Sequence, residues 1–198
     1  MQTEVVLHLL ATNFIFSVKI APLVVFVATL IRSALLLTGR KRALLSWTRN
    51  TALSLATIIF LPGMIVHTSV RFAVCSLLGI DLEGVGAAST YAELNLFLKV
   101  DRPPRVAVLV SALYLSTVAS VFIGFSLLFL PVVLLAGAPV VLLCWYIALC
   151  VLFNSSLKGG DFSLLGVALQ KHPGRGVTEL ILALAVLIVF YTYVGVGI

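Results

Sequence analysis

The chain has 198 residues, of which 62% are hydrophobic and only 10% are charged, and its mean hydropathy is +1.22. Soluble domains are about 45–50% apolar, so this composition excludes a separate soluble catalytic or binding domain. It predicts one integral membrane domain over residues 1–198. The net charge of +6 comes from basic residues scattered through the predicted loops. This is how charge is distributed beside membranes, and it does not indicate nucleic-acid binding.

A helix that crosses a bilayer needs about 20 apolar residues, and the chain has enough apolar sequence for about five such helices, with a range of four to six. We therefore predict an all-α polytopic fold with five spans and a short interfacial strand or hairpin near residues 81–100. The spans are expected near residues 20–38, 51–80, 106–130, 138–153 and 177–198.

The first apolar segment, residues 5–38, is longer than one perpendicular crossing at about 1.5 Å per residue. It fits either one tilted, kinked helix or a short interfacial piece followed by a span from residue 20. The second alternative is favoured, because it places Lys19 and Arg32 near the two ends of a span, where basic side chains reach the headgroups. Glu4 does not match the basic start of a cleavable signal peptide, so the first helix is expected to be retained.

Residues 39–50 form a predicted loop that favours the cytoplasmic side under the positive-inside rule. The loop contains no acidic residue and four basic ones, Arg40, Lys41, Arg42 and Arg49. This pattern predicts a multi-pass protein of the cell membrane with the loop in the cytoplasm. Five spans would place the two termini on opposite sides, whereas a split first segment would place them on the same side.

The second span contains Pro62 and Gly63, which predict a kink or break before His67 because proline removes one backbone hydrogen bond. Residues 106–153 contain no Asp, Glu, Lys, Arg or His. As one helix they would be more than twice as long as the hydrocarbon core of a bilayer is thick, so they predict a hairpin of two spans with its turn near residues 137–139. Residues 154–177 are predicted to be a loop, and the last span is expected to begin near Glu179, where a carboxylate favours a helix N-terminus.

His67 and Arg71 are the polar residues in the spans that most need an explanation. Their spacing of four residues places them on one face of a helix. A lone buried histidine is more often a hydrogen-bonded structural residue than a ligand. A guanidinium keeps its proton inside a protein, so Arg71 requires an acceptor. The alternative is that the helix ends near Arg71 and the side chain reaches the membrane surface.

Residues 61–80, which read LPGMIVHTSVRFAVCSLLGI, resemble a segment of the site-2-protease-like intramembrane zinc metalloproteases. In that family a similar segment carries an HExxH motif. His67 matches the first histidine, whereas Thr68 stands in place of the catalytic glutamate and Arg71 in place of the second histidine. The resemblance implies a membrane-embedded helical fold with a surface strand region.

Residues 154–161, which begin with Asn154 and end with Asp161, are similar to the family segment that supplies the aspartate of the zinc site. The resemblance thus covers residues 51–166. Thr68 cannot serve as the general base and Arg71 has no lone pair for a metal, so we expect neither a bound metal nor another cofactor. If a metal were held, its ligands would be His67 and Asp161.

These departures predict that Arg71 replaces the metal electrostatically and forms an ion pair with Asp161. The alternative for Asp161 is a solvated loop or turn residue after two glycines. The predicted function is a non-catalytic membrane protein, in concrete form an accessory subunit surrounded by lipid and other membrane subunits. The two other classes are a metalloprotease with a non-standard site, and a small transporter or channel.

Overall fold

The structure is a computed structural model that describes residues 2–45, 58–90, 93–100, 104–171 and 173–196. In this part of the chain it has six helices and one antiparallel hairpin between the second and third helices. The helices are α1 (Gln2–Leu45), α2 (Leu61–Leu77), α3 (Val106–Val133), α4 (Ala138–Asn154), α5 (Gly159–Lys171) and α6 (Pro173–Val196). The strands are β1 (Leu82–Thr90) and β2 (Glu93–Val100).

Helix α3 lies at the centre and contacts each of the other five helices. Most of its buried positions are small or β-branched, which allows neighbouring backbones to approach closely where no water is present. A Cβ added at Gly124 would lie only 2.8 Å from the Leu152 side chain of α4. Helices α3 and α4 form the hairpin predicted for residues 106–153, and Gly137 lies directly before the first residue of α4.

Helix α1 is continuous from Gln2 to Leu45 and includes Pro22. The expected break before residue 20 is therefore wrong, as is the start of the loop at residue 39. The helix continues because Val18 and Ala21 pack against α3, which stabilises the segment beside the proline. Residues 46–50 of the predicted loop lie outside the described residues.

Within the described residues, three helical segments are long and apolar enough to cross a membrane, as judged by length and composition: Glu4–Ala34, Val106–Val133 and Pro173–Val194. Helices α2 and α4 are apolar but shorter, with 17 residues each. The structure thus supports a membrane-embedded helical protein.

The predicted loop over residues 154–177 is wrong, because most of it is helical. Helix α5 occupies Gly159–Lys171, and α6 begins at Pro173. Leu164, Leu165 and Leu169 of α5 pack against the buried start of α3. The glycines and charged residues at its two ends concealed an apolar face that only the contact with α3 makes favourable.

Glu179 does not lie at the start of its own helix, because α6 begins six residues earlier, at Pro173. Its carboxylate oxygen Oε2 lies 3.5 Å from the backbone nitrogen of Ala107, in the first turn of α3. The N–H groups of a helix's first turn lack intrahelical acceptors and carry partial positive charge. Glu179 therefore stabilises the N-terminus of a different helix from the one that the sequence suggested.

The β hairpin lies where the sequence predicts a strand or hairpin, near residues 81–100. The strands pair antiparallel from Leu82 opposite Val100 to Thr90 opposite Glu93, with a register shift between Leu82 and Gly84. Leu82 and Val100 pack on the cluster formed by Cys75, Ile80 and Ala112. The hairpin is thereby attached to the end of α2 and to the first part of α3.

Candidate functional site

The candidate site begins where helical structure is interrupted, directly before α2. A turn at Phe60 precedes the helix, and Pro62 lies in the first helical turn. Proline is tolerated there because an N–H group in the first turn has no intrahelical acceptor. The predicted break is present, but Pro62 and Gly63 open the helix rather than interrupt it.

Side chains of α4 donate hydrogen bonds to the carbonyl groups at this break. The Asn154 amide donates to the carbonyl oxygen of Phe60 at 3.0 Å, and the Tyr146 hydroxyl donates to that of Ile59. The Cys150 thiol lies 3.5 Å from the same Ile59 oxygen. These three donors are spaced by four residues and so share one face of α4. In apolar surroundings an unpaired carbonyl is costly. This face of α4 therefore stabilises the backbone where the helix is interrupted.

Replacing Asn154 with alanine is expected to lower the free energy of unfolding by about 0.5–1.5 kcal/mol, because the Phe60 carbonyl loses one of its two donors and keeps only the Met64 N–H. The measurement is a reversible unfolding titration in mixed micelles. The matched control is Leu143→Ala on the same helix, whose side chain is 59% exposed. If the two variants unfold alike, Asn154 does not have this role.

Gly63 allows α2 to approach α4 at backbone distance. A Cβ at this position would overlap the carbonyl group of Cys150 and the backbone nitrogen of Val151. Glycine is thus the one residue type that permits this contact. The close approach brings the Phe60 carbonyl within reach of Asn154 and sets the position of the next helical turn, which carries His67.

His67 is buried, with a relative exposure of 1%. Its Nδ1 atom lies 2.9 Å from the Ser120 hydroxyl, and that hydroxyl donates its proton to the Ser116 carbonyl oxygen at 2.8 Å. Because the Ser120 proton is already used, Nδ1 is the donor. A buried N–H on Nε2 without an acceptor would be costly, so the neutral ring with its lone pair on Nε2 is favoured. Nε2 has no hydrogen-bond partner among the described residues.

Arg71 and Asp161 form the ion pair that the sequence predicted. Arginine Nη1 lies 2.7 Å from carboxylate Oδ1, and Nη2 lies 3.0 Å from Oδ2. The two side chains are only 15% and 11% exposed. This bidentate geometry is the strongest arrangement between a guanidinium and a carboxylate.

Asp161 also stabilises the start of α5. Its Oδ2 accepts a hydrogen bond at 2.9 Å from the backbone N–H of Lys158, which precedes the helix. This contact is the carboxylate half of a capping box. The alternative of a solvated loop or turn residue is therefore wrong, because Asp161 lies in the first turn of α5 and is nearly buried.

The structure places the other predicted residues around this pair. Thr68 is buried on α2, and Asn154, the last residue of α4, lies near Phe60 at the start of α2. Two neighbours were not assigned to this site from the sequence: Ser120, which orients His67, and Ser156, whose hydroxyl accepts from Arg32 at 3.3 Å. Only the serine spacing on α3 could have suggested the first, since residues four apart share a helix face.

The arrangement does not fit the zinc ion that the resemblance implies. His67 has a free lone pair on Nε2, but both carboxylate oxygens of Asp161 are bonded to the Arg71 guanidinium. A dication would also have to lie beside that fixed positive charge. Among the described residues no group of three or more His, Cys, Asp or Glu side chains converges.

Comparisons with protein-family models, curated proteins and solved structures give no match for this chain. The likeness to the site-2-protease-like family therefore depends on the two motifs around His67 and Asp161, together with the hairpins between them.

Proposed function

We propose that this chain is a non-catalytic protein of the cell membrane, built on a site-2-protease-like scaffold, and that it serves as an accessory subunit of a larger membrane complex. One observation carries the proposal: Arg71 holds Asp161 in a bidentate ion pair. In the metalloproteases that the motifs resemble, the matching positions carry zinc ligands. Here the guanidinium supplies the positive charge permanently.

The local hydrogen bonds support a structural role for the site. Asp161 is bonded to Arg71 and to the start of α5, while His67 is bonded to α3 through Ser120. These contacts join α2, α3 and α5 through polar groups that are nearly excluded from solvent. Hydrogen bonds and an ion pair of this kind stabilise one packing of the helices. The site also has no carboxylate available to take a proton from water.

The outer surface supports a partner in the membrane. Only 6% of the apolar stretch of helix α6 is buried, and most of its large side chains are exposed. Exposed apolar area of this extent requires lipid or other membrane helices around it. In the proposed orientation residues 39–50, which include the end of α1, are cytoplasmic. The Arg71–Asp161 pair then lies toward the cytoplasm, because Arg32 of the second half of α1 bonds to Ser156, close to Asp161.

The proposal predicts that the chain, purified from native membranes in a mild detergent, brings larger membrane subunits in fixed ratio and carries no zinc. Mass spectrometry measures the subunits, and elemental analysis measures the metal. A chain that purifies alone with about one zinc per molecule would contradict the proposal, and proteolysis would then have to be assayed. The same purification from membranes that lack this chain controls for proteins that bind non-specifically.

A further inference from the structure

Lys19 lies at the middle of the apolar bundle. Its neighbours Val18 and Ala21 pack against Val118 and Val121, near the midpoint of α3. The packing against α3 therefore assigns Lys19 to a central depth, whereas the sequence had suggested the end of a span.

Three other charged side chains of the helices have partners within the chain. Arg71 is paired with Asp161, Arg32 is bonded to Ser156, and Glu179 lies beside the first turn of α3. The half-buried Lys19 side chain has neither a hydrogen bond nor an ion pair with any described residue. A charged group at the bilayer centre is costly and is normally met by an acceptor.

The helix face around Lys19 has the spacing of a helix–helix contact. Ile15, Lys19, Pro22 and Phe26 follow one another at intervals of four, three and four residues, the spacing of positions that face a partner helix. Ile15 is 36% and Phe26 is 61% exposed. The lysine thus lies in the middle of an exposed apolar stripe on α1, defined by these four residues.

We propose that this stripe binds a transmembrane helix of a different chain that carries an Asp or Glu at mid-depth, and that Lys19 pairs with that carboxylate. The inference rests on the proposed role as a subunit and identifies the chemistry of the partner. A second copy of this chain does not fit, because two Lys19 side chains would repel each other and the paired Asp161 is not available. Snorkelling does not fit either, since the four-carbon stem is much shorter than the about 15 Å from the midplane to the headgroups.

The first test uses a defined probe, a Leu/Ala transmembrane peptide with one central Glu, and a matched peptide with Leu at that position. Both are incorporated with the full-length chain into phosphatidylcholine liposomes, and association is measured by energy transfer. We expect the wild-type chain to bind the Glu peptide and Lys19→Met to bind it about tenfold more weakly, the size of one interhelical polar contact. Lys19→Arg should retain binding, and Leu23→Met on the same side of α1 should not change it.

A charge exchange keeps the test valid if Lys19→Met fails to fold. Lys19→Glu should bind a peptide with a central Lys and should lose the Glu peptide. Equal binding of the Glu and Leu peptides by the wild-type chain would overturn the inference. Equal binding of the Glu peptide by wild type and Lys19→Met would overturn it as well, as would self-association of the chain that depends on Lys19.

Co-purification from native membranes distinguishes a failure of this inference from a failure of the proposed function. If wild type co-purifies with larger subunits and Lys19→Met does not, while Lys19→Arg does, the inference is supported. If Lys19→Met keeps the same subunits, the subunit role stands and the inference about Lys19 is wrong. If neither protein brings subunits, the proposed function fails and the inference fails with it.

Discussion

Replacing Gly63 with alanine is expected to lower the free energy of unfolding by about 3 kcal/mol or more, at or above the upper end of the usual effect of overpacking. The added methyl group would overlap the backbone of Cys150 and Val151, which cannot rotate away as a side chain can. Helices α2 and α4 would have to separate, and Asn154 would then move out of reach of the Phe60 carbonyl. An unfolding titration in mixed micelles measures the loss.

The control for this variant is Gly166→Ala, which adds the same methyl group inside α5. No atom lies within 4 Å of a Cβ at that position. Alanine is favoured over glycine in a helix by about 0.5–1 kcal/mol, so this variant should be unchanged or slightly more stable. If Gly63→Ala were as stable as Gly166→Ala, the close approach of α2 to α4 would be wrong.

Loss of the Arg71–Asp161 ion pair is expected to have the second large effect on the free energy of unfolding. Arg71→Met should lower the free energy of unfolding by about 3 kcal/mol, near the lower end of the range for a buried pair, because it leaves the Asp161 carboxylate without its counter-charge. The lower end applies because the Arg71 and Asp161 side chains remain 15% and 11% exposed. Asp161→Asn should have a similar effect, since it strands the guanidinium.

The double variant Arg71→Met/Asp161→Asn distinguishes an ion pair from two independent contacts. With both charges removed, the combined loss should be smaller than the sum of the single losses by about 1–3 kcal/mol. Strictly additive losses would show that the pair is not coupled. Arg71→Lys is a further comparison, because lysine keeps the charge but cannot form two parallel hydrogen bonds with Asp161.

The candidate site could be predicted in part because its residues lie close together in sequence or obey one strong rule. His67 and Arg71 share a helix face through their spacing alone. A guanidinium that cannot lose its proton requires an acceptor, and Asp161 matched the position at which the resembling family has a carboxylate. Asn154 was singled out from the same motif, but its contact with Phe60 depends on how closely two helices approach.

Helix α5 shows what the sequence pattern could not reveal. Its ends carry glycines and charged residues, which are typical of loops, and its three leucines do not form a recognisable span. The helix forms because those leucines are buried against the start of α3. Similarly, the depth of Lys19 became visible only when Val18 and Ala21 were seen to pack near the middle of α3.

The sequence by itself determined the membrane class, the α3–α4 hairpin and the need of Arg71 for a counter-charge. Each follows from composition, from the length of an uncharged run or from the fixed charge of one side chain, none of which requires knowledge of distant contacts. The tertiary structure alone decided which serine orients His67, which helix end Glu179 stabilises and how close α2 lies to α4. These features join residues that are far apart in the chain, and their geometry depends on packing distances that local patterns do not encode.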